Sequence, residues 1–253
     1  MINPMDLSGK NIMVTGASSG IGKGIAIFLS KIGANVIMVA RNEERLKDAF
    51  NELEPGNHSY YSYDLNNLDG IENMMNNVLS GGIRLNGLVH SAGISQTIPL
   101  QYLKLNDLNN IMSVNFFSFV ELAKHFSKRK NNDNGGSIVA VSSISSKVGA
   151  RGLTAYCASK GALDSAIRSM ALDLVSKNIR INSIAPSMIR TQIYDGLKEI
   201  VNNYDFEDEL KKRQIMGVGD PADVANAAAF LLSNASKFIT GTSMIVDGGY
   251  LAH

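Results

Sequence analysis

Short apolar segments rich in β-branched residues alternate with segments of helical periodicity along almost the whole chain. The strand-like runs are NIMVTG (11–16), NVIMVA (35–40), HSYYSYD (58–64), GLVH (87–90), SIVAVSS (137–143), IRINSIA (179–185) and SMIVDGG (243–249), the third being the weakest. Because most of them are apolar at consecutive rather than alternate residues, they are typical of parallel strands covered on both faces. The pattern predicts a single-domain, doubly wound α/β fold with a mostly or wholly parallel sheet of about seven strands.

Composition limits the class of partner. The 253 residues, 45% hydrophobic, can bury one substantial core, and 24 basic against 23 acidic residues leave a net charge of +1. This balance gives no global field for nucleic acid or an anionic membrane. The single cysteine, Cys157, cannot form an intramolecular disulfide, and no apolar run approaches the roughly 20 residues that cross a bilayer. We therefore expect a soluble, cytoplasmic protein without nucleic-acid or membrane partners.

A glycine-rich turn, TGASSGIG at 15–22, follows the first strand and leads directly into a helical pattern. Such a turn lets backbone amides approach a pyrophosphate, with the positive end of the helix behind them. The turn predicts a dinucleotide site, although its G-x-x-x-G-x-G spacing is weak evidence alone and a purely structural turn is the alternative. The cofactor-binding residues predicted here are Gly16, Ser18, Ser19, Gly20, Ile21 and Gly22.

The end of the second strand predicts which dinucleotide binds. An acidic residue there would accept hydrogen bonds from both ribose hydroxyls, but this chain has Ala40, followed by Arg41 and Asn42. Arg41 can pair with a 2′-phosphate, so the sequence predicts NADP(H), with Arg41 and Asn42 as contacts. The alternative is that Arg41 is only a solvated loop cation. Since the glycine turn itself contains no basic residue, the preference for NADP(H) is expected to be moderate rather than absolute.

Six motifs in order make the chain resemble the short-chain dehydrogenase/reductase family over essentially its whole length. They are TGxxxGxG at 15–22, Asp64 after the third strand, Asn115 in MSVNFFS, Ser143, YCASK at 156–160 and IAPSMIRT at 184–191. Within the family, the chain is most similar to the bacterial 3-oxoacyl-acyl-carrier-protein reductase-like group. The resemblance implies a Rossmann fold and an oxidoreductase that uses a nicotinamide cofactor and no metal.

The resemblance also implies roles for individual residues. Tyr156 is the acid or base, Lys160 lowers its pKa and binds the ribose, Ser143 binds the substrate oxygen, and Asn115 supports a water-based proton relay. The further cofactor contacts implied are Asp64 and Leu65 at the adenine, Ser91, Ala92 and Gly93 after the fourth strand, and Pro186, Ile189 and Thr191 after the sixth. Taken singly, these residues favour structural roles, with Ser143 as a strand-end turn former, Asn115 as an ordinary helix residue, and Tyr156 with Lys160 as an amphipathic surface pair; it is their joint spacing that favours catalysis.

Two positions depart from the family pattern. The usual N-N-A-G is His90-Ser91-Ala92-Gly93, and the usual P-G is Pro186-Ser187. Neither change removes a catalytic group, and we interpret His90 as a hydrogen-bonded strand-end residue rather than a catalyst. With four scattered histidines and one cysteine, the sequence predicts no metal site.

These residues suit hydride chemistry on a carbonyl. Reduction of a ketone builds negative charge on its oxygen, which needs a proton donor and a second hydrogen-bond donor. A free tyrosine, with a pKa of about 10, is a poor base at neutral pH, but a nearby ammonium favours its phenolate form. No local signal places a histidine to activate Ser143 as a nucleophile, so its hydroxyl is better used as a hydrogen-bond donor.

The expected function is hydride transfer between NADP(H) and a ketone or secondary alcohol, with a 3-oxoacyl thioester, including one carried by acyl carrier protein, as the first choice. Sugar, polyol or steroid-type alcohols are alternatives, as is a non-catalytic NADP-sensing protein. An apolar substrate lid is expected at about 188–216, where a packed helical hairpin would fit the sequence equally well. The resemblance implies a homotetramer, with interfaces at helices around 105–130 and 156–176 and at the C-terminal strand.

Overall fold

One parallel sheet organises the protein. The computed structural model describes residues 3–192, 194–195 and 206–252. In this part of the chain seven strands pair in the order β3-β2-β1-β4-β5-β6-β7, every pair parallel, as the sequence predicted. The strands are β1 Asn11–Thr15, β2 Asn35–Ala40, β3 Ser59–Ser62, β4 Leu85–His90, β5 Asn132–Val141, β6 Ile179–Pro186 and β7 Ser243–Val246.

Helices cover both faces of this sheet. Those in the described ranges are α1 Gly20–Lys31, α2 Glu43–Phe50, α3 Ile71–Val78, α4 Leu105–Met112, α5 Ser118–Phe126, α6 Thr154–Leu174, α7 Phe206–Arg213 and α8 Pro221–Leu232. A π-helical turn, Ser113–Phe117, joins α4 directly to α5. Within the same ranges, no helix combines the length and the apolar character that a membrane crossing requires.

Two apolar layers explain why the strands are apolar at consecutive positions. In β1, Ile12 and Val14 belong to the core under α1, α2 and α8, whereas Met13 belongs to the core under α3, α5 and α6. All three side chains are essentially inaccessible to solvent. Residues on both faces of a central strand are therefore buried. A strand with alternating apolar and polar residues would have only one buried face.

The order of the strands creates the site. From β1 the chain moves outward to β2 and β3, then returns to place β4 on the other side of β1. At such a switch point the connections leave the carboxyl ends of β1 and β4 in opposite directions, which opens a crevice there. The residues that follow β1, β4, β5 and β6 therefore meet at one edge of the sheet.

Candidate active site

The glycine-rich turn after β1 is packed too closely for side chains. Gly16 has φ of +66°, and a Cβ at this position would stand 2.7 Å from the backbone nitrogen of Ala92. A Cβ on Gly22 would collide with the carbonyl oxygen of Gly16. The turn is thus a bare backbone cradle between β1 and α1, held against the loop that follows β4.

The start of α1 has the chemistry to hold an anion. The helix begins at Gly20, with Ser19 extended before it, and the Ser19 side chain does not cap the helix. The first turn of α1, all of which the structure describes, contains no acidic residue. Uncapped backbone amides and the positive helix end therefore point at the crevice, and they fit the diphosphate of a dinucleotide.

Ser143, Tyr156 and Lys160 come together at the carboxyl end of β5. Ser143 follows the strand and caps a short 3-10 turn, while Tyr156 and Lys160 lie one turn apart on α6. The Ser143 side chain is near enough to Tyr156 to lower the pKa of its phenol. The Lys160 amine lies 5.6 Å from the centre of the Tyr156 ring and donates to the Val141 carbonyl at 2.8 Å. The three groups that the sequence analysis assigned to chemistry therefore share one pocket edge.

Burial controls the proton affinities of this group. It raises the pKa of Tyr156, which the neighbouring Ser143 partly offsets, and it lowers the pKa of Lys160 to about 8, against a raising effect of Asp164. The direction for Tyr156 is the opposite of the one expected from the sequence. The reason is that the phenol is removed from water, which disfavours its charged phenolate form.

Asn115 lies in the π-helical turn between α4 and α5 and is fully buried. Its Oδ1 accepts from the Ile94 backbone N–H at 2.8 Å, and its Nδ2 donates to the Ile94 carbonyl and to Ser159 Oγ, both at 3.0 Å. A Cβ on Gly93 would stand 3.4 Å from Asn115 Oδ1 and 3.5 Å from the Lys160 amine. Asn115 therefore fastens the loop after β4 next to Lys160, a contact that sequence alone did not predict.

His90, at the first of the two departures, is a buried strand-end residue. Its Nδ1 lies 3.1 Å from Thr15 Oγ1, which in turn accepts from the Ala92 backbone N–H at 3.3 Å. Burial lowers the pKa of His90 to about 3, an effect that the nearby backbone of the π-helical turn partly offsets, so the ring is neutral. Among the described residues Nε2 has no partner at hydrogen-bond geometry. His90 thus joins the ends of β1 and β4.

The end of β2 presents Arg41 at the surface. Its side chain is 77% exposed, and its Nη1 lies 3.9 Å from Asp64 Oδ2. Asn42 has a structural role that the sequence analysis missed, since its Oδ1 accepts from the Arg45 backbone N–H at 2.8 Å and caps α2. An Asn before the acidic start of a helix is an N-cap signal and could have identified this contact. Leu65, predicted at the adenine, is buried.

The loop after β6 reaches back to the glycine turn. The Thr191 methyl lies 3.3 Å from where a Cβ on Gly20 would stand. Thr191, predicted to contact the nicotinamide end of the cofactor, is therefore a neighbour of Gly20 in the predicted diphosphate turn. Ile189 is buried and forms a parallel bridge with Gly219, and Pro186 is the last residue of β6. Ser91 faces the turn as well, its Oγ 3.2 Å from the position of a Cβ on Gly22.

Gln214 closes the segment predicted as a lid. Its Oε1 accepts from Ser187 Oγ at 2.8 Å and from the Met188 backbone N–H at 3.2 Å, while its Nε2 donates to the carbonyls of Met188 and Gly217. The side chain is 1% exposed, so its amide is fully used and fully buried. The second departure, Ser187, thereby gains a function in loop anchoring. Within 188–216, positions 193 and 196–205 lie outside the described residues, as does most of the predicted apolar face.

Comparisons with known proteins agree with this arrangement. A family model described as "Enoyl-(Acyl carrier protein) reductase" matches residues 16–251. The 3-oxoacyl-[acyl-carrier-protein] reductase FabG of Rickettsia felis is 34% identical over 247 residues, which cover 98% of this chain and 99% of that one.

Solved structures match over the whole chain as well. A short-chain type dehydrogenase/reductase from Mycobacterium ulcerans superposes with a TM-score of 0.91 at 32% identity, covering 98% of this chain and 92% of that one. A 7α-hydroxysteroid dehydrogenase complexed with NADH and 7-oxo glycochenodeoxycholic acid superposes with a TM-score of 0.90 at 31% identity, covering 98% of both chains. From its glycine cradle to its last strand, this chain belongs to the short-chain dehydrogenase/reductase family of oxidoreductases, which act on CH–OH and keto groups.

Proposed function

We propose that this protein is an NADP(H)-dependent enzyme that interconverts a ketone and a secondary alcohol, with a 3-oxoacyl thioester as its substrate. The observation that carries the proposal is the meeting of Ser143, Tyr156 and Lys160 at the carboxyl end of β5, where Ser143 lowers the pKa of Tyr156 and the Lys160 amine lies 5.6 Å from the centre of its ring. The bound nicotinamide would supply or take up the hydride. The bare backbone of the cradle would hold its diphosphate, and Arg41 its 2′-phosphate.

The roles of the side chains follow from their geometry. Two neighbouring hydroxyls can both turn toward one substrate oxygen, so Ser143 would orient that oxygen while Tyr156 Oη gives it a proton. The raised pKa of Tyr156 keeps its proton in place at neutral pH, as an acid in ketone reduction requires. Lys160, whose pKa is about 8, is largely cationic at pH 7 and would stabilise the phenolate that remains.

The choice of substrate rests on the relatives. The Rickettsia felis protein is named as a 3-oxoacyl-[acyl-carrier-protein] reductase and matches nearly end to end, which favours a 3-oxoacyl thioester, including one presented by acyl carrier protein. The steroid dehydrogenase is nearly as similar, so a cyclic secondary alcohol is the second candidate. A non-catalytic NADP sensor is disfavoured because the chain retains Asn115, Ser143, Tyr156 and Lys160 in one site.

A substrate panel tests the proposal directly. Purified protein and NADPH are offered 3-oxoacyl thioesters, keto-steroids and keto-sugars, and the absorbance of the reduced nicotinamide is followed. We expect the highest kcat/KM with the 3-oxoacyl thioester. A higher value with a keto-steroid would replace the substrate assignment, and binding of NADPH without turnover of any member would favour the sensor.

Arg41→Ala is expected to lower kcat/KM with NADPH about tenfold and to leave the value with NADH nearly unchanged. The effect is modest because Arg41 is mostly exposed and also faces Asp64. The matched control is Lys47→Ala, which removes the same charge at the other end of α2. Equal losses in both variants would mean that only the net charge matters, and a wild-type preference for NADH would overturn the choice of cofactor.

We propose a cytoplasmic homotetramer assembled through α4 to α6 and the C-terminal strand. Large apolar side chains are exposed on these elements or beside them, among them Leu105, Leu172, Val175 and Phe238, the last of these completely. β7 is an edge strand of the sheet, with one side free to lie against another copy. Light scattering is expected to give the mass of four chains, and Leu172→Glu to give a smaller particle; a wild-type monomer would exclude this assembly.

A further inference from the structure

Asp164 is a buried carboxylate on α6, one helical turn beyond Lys160. It is 7% exposed, and nothing in the reaction outlined above uses it. Its Oδ1 accepts from Ser183 Oγ at 2.7 Å, and its Oδ2 accepts from Ser146 Oγ at 2.6 Å and from the Lys147 amine at 3.1 Å. A buried charge persists only when its lone pairs are filled in this way, so these contacts form a built network rather than a chance meeting.

The network spans the elements around the site. Ser183 lies on β6, and Ser243, on β7, donates more weakly to Asp164 Oδ2 at 3.4 Å. Ser142, next to the end of β5, also lowers the pKa of Asp164. The carboxylate is therefore a common anchor for α6, for the last strands of the sheet, and for the turn that follows β5.

That turn carries Ser143. The Ser146 hydroxyl lies 2.6 Å from Asp164 Oδ2 and 2.8 Å from the Ser143 carbonyl oxygen, and its one proton is shared between these two acceptors. Ser143 Oγ in turn accepts from the Ser145 backbone N–H at 3.1 Å. The contacts of Ser146 and Lys147 with Asp164 attach this turn to α6. They therefore set the position of Ser143 relative to Tyr156, which also lies on α6.

Asp164 also acts on Lys160. Residues four apart lie on one face of a helix, and the carboxylate raises the pKa of Lys160 against the lowering effect of burial. The other titratable groups facing Lys160 are Tyr156 on α6 and His90 on β4, which is neutral. The cations facing Asp164 are Lys147, and Arg168, whose guanidinium donates to the Asp164 carbonyl.

We propose that Asp164 is a positioning residue of this active site, whose carboxylate fixes the Ser143 turn to α6 and favours the charged form of Lys160 one helical turn away. The role of Asp164 in catalysis rests on the function proposed above, whereas its effect on Lys160 can be measured whatever the reaction is. The two are therefore tested separately.

The first test measures Lys160 itself. The protein is labelled with ¹³C-lysine, the Lys160 resonance is assigned with the Lys160→Met variant, and its Cε shift is followed against pH. In Asp164→Asn, which keeps the size of the side chain but replaces its charge and one accepting oxygen with an amide, we expect the pKa of Lys160 to fall by about one unit. Ser183→Ala is the matched control, because it removes one bond of the network and leaves the charge. It is expected to leave that pKa in place.

An unchanged pKa of Lys160 in Asp164→Asn would overturn the proposal, whether or not the protein reduces a ketone. If the Asn variant does not fold, as judged by its melting curve, Asp164→Ser supplies the same loss of charge in a smaller hydrogen-bonding side chain, with the same expected fall. A fall of the same size in Ser183→Ala would also overturn it, because the effect would then follow from loosened packing rather than charge.

The second test uses turnover with the best ketone of the panel. In Asp164→Asn the alkaline limb of the kcat/KM profile is expected to move to lower pH by the same amount as the pKa of Lys160. Ser146→Ala, which cuts the link to Ser143 with the charge intact, is expected to lower kcat without moving that limb. An alkaline limb that stays in place in Asp164→Asn would show that Lys160 does not couple Asp164 to the reaction.

Discussion

Tyr156→Phe is expected to lower kcat for ketone reduction by about 10²- to 10⁴-fold, the usual contribution of a positioned proton donor. The variant removes the Tyr156 hydroxyl, which Ser143 affects, and keeps the ring beside the Lys160 amine. Steady-state kinetics with NADPH and a saturating ketone measure the loss. Because the ring and its packing remain, the affinity for NADPH is expected to change little.

The control for this variant is Tyr60→Phe, which removes the same group from the edge strand β3. It is expected to keep full activity. Wild-type activity in Tyr156→Phe would exclude Tyr156 as the acid. A loss of NADPH affinity matching the loss of kcat would mean instead that Tyr156 serves mainly in binding the cofactor.

Gly16→Ala is expected to abolish measurable cofactor binding. The new methyl would stand 2.7 to 2.9 Å from backbone atoms of Ser91 and Ala92, which cannot move without disturbing the hydrogen bond from Ala92 to Thr15. The left-handed conformation adds roughly 1–2 kcal/mol for any residue with a side chain. Fluorescence of bound NADPH measures the affinity, and a melting curve shows how far the variant is destabilised.

Gly9→Ala separates the cost of the left-handed backbone from the cost of the steric clash. Gly9 has φ of +71°, close to that of Gly16, but a Cβ there would have nothing within 4 Å. Both variants are therefore expected to lose similar stability from the backbone, and only Gly16→Ala should lose the cofactor. Unchanged NADPH binding in Gly16→Ala would show that the cradle is a structural turn, the alternative that the sequence left open.

The sheet could be predicted because its signal is local and repeated. Consecutive apolar residues such as Ile12, Met13 and Val14 face two cores at once, and the structure confirms the parallel arrangement that this implies. The weakest strand-like run, β3, differs, because it lies at the edge of the sheet and is largely exposed. The family could be predicted because its motifs occur in a fixed order.

Contacts between distant segments were not predictable in this way. The direction of the Tyr156 pKa depends on how completely the ring is removed from water, which spacing along a helix does not reveal. In the sequence, Asp164 has no feature that separates it from other polar helix residues. Its partners Ser183 and Ser243 lie on β6 and β7, which are distant from it in sequence and near it only in the folded protein. Gln214 likewise contacts Ser187 and Met188 across more than twenty residues of sequence, a pairing that no local pattern indicates.

The contacts of Gln214 have a consequence for how such a protein can change during evolution. Because the Gln214 amide ties Met188 to Gly217, the two ends of the stretch between them are held together beside the end of β6. Doubling the length of a closed flexible loop costs only about 0.6 kcal/mol in closure entropy. Residues could therefore be inserted, deleted or exchanged above the Gln214 amide while β6, the Ser143 turn and the glycine cradle keep their positions. The choice of substrate can thus evolve at little expense to the chemistry beneath it.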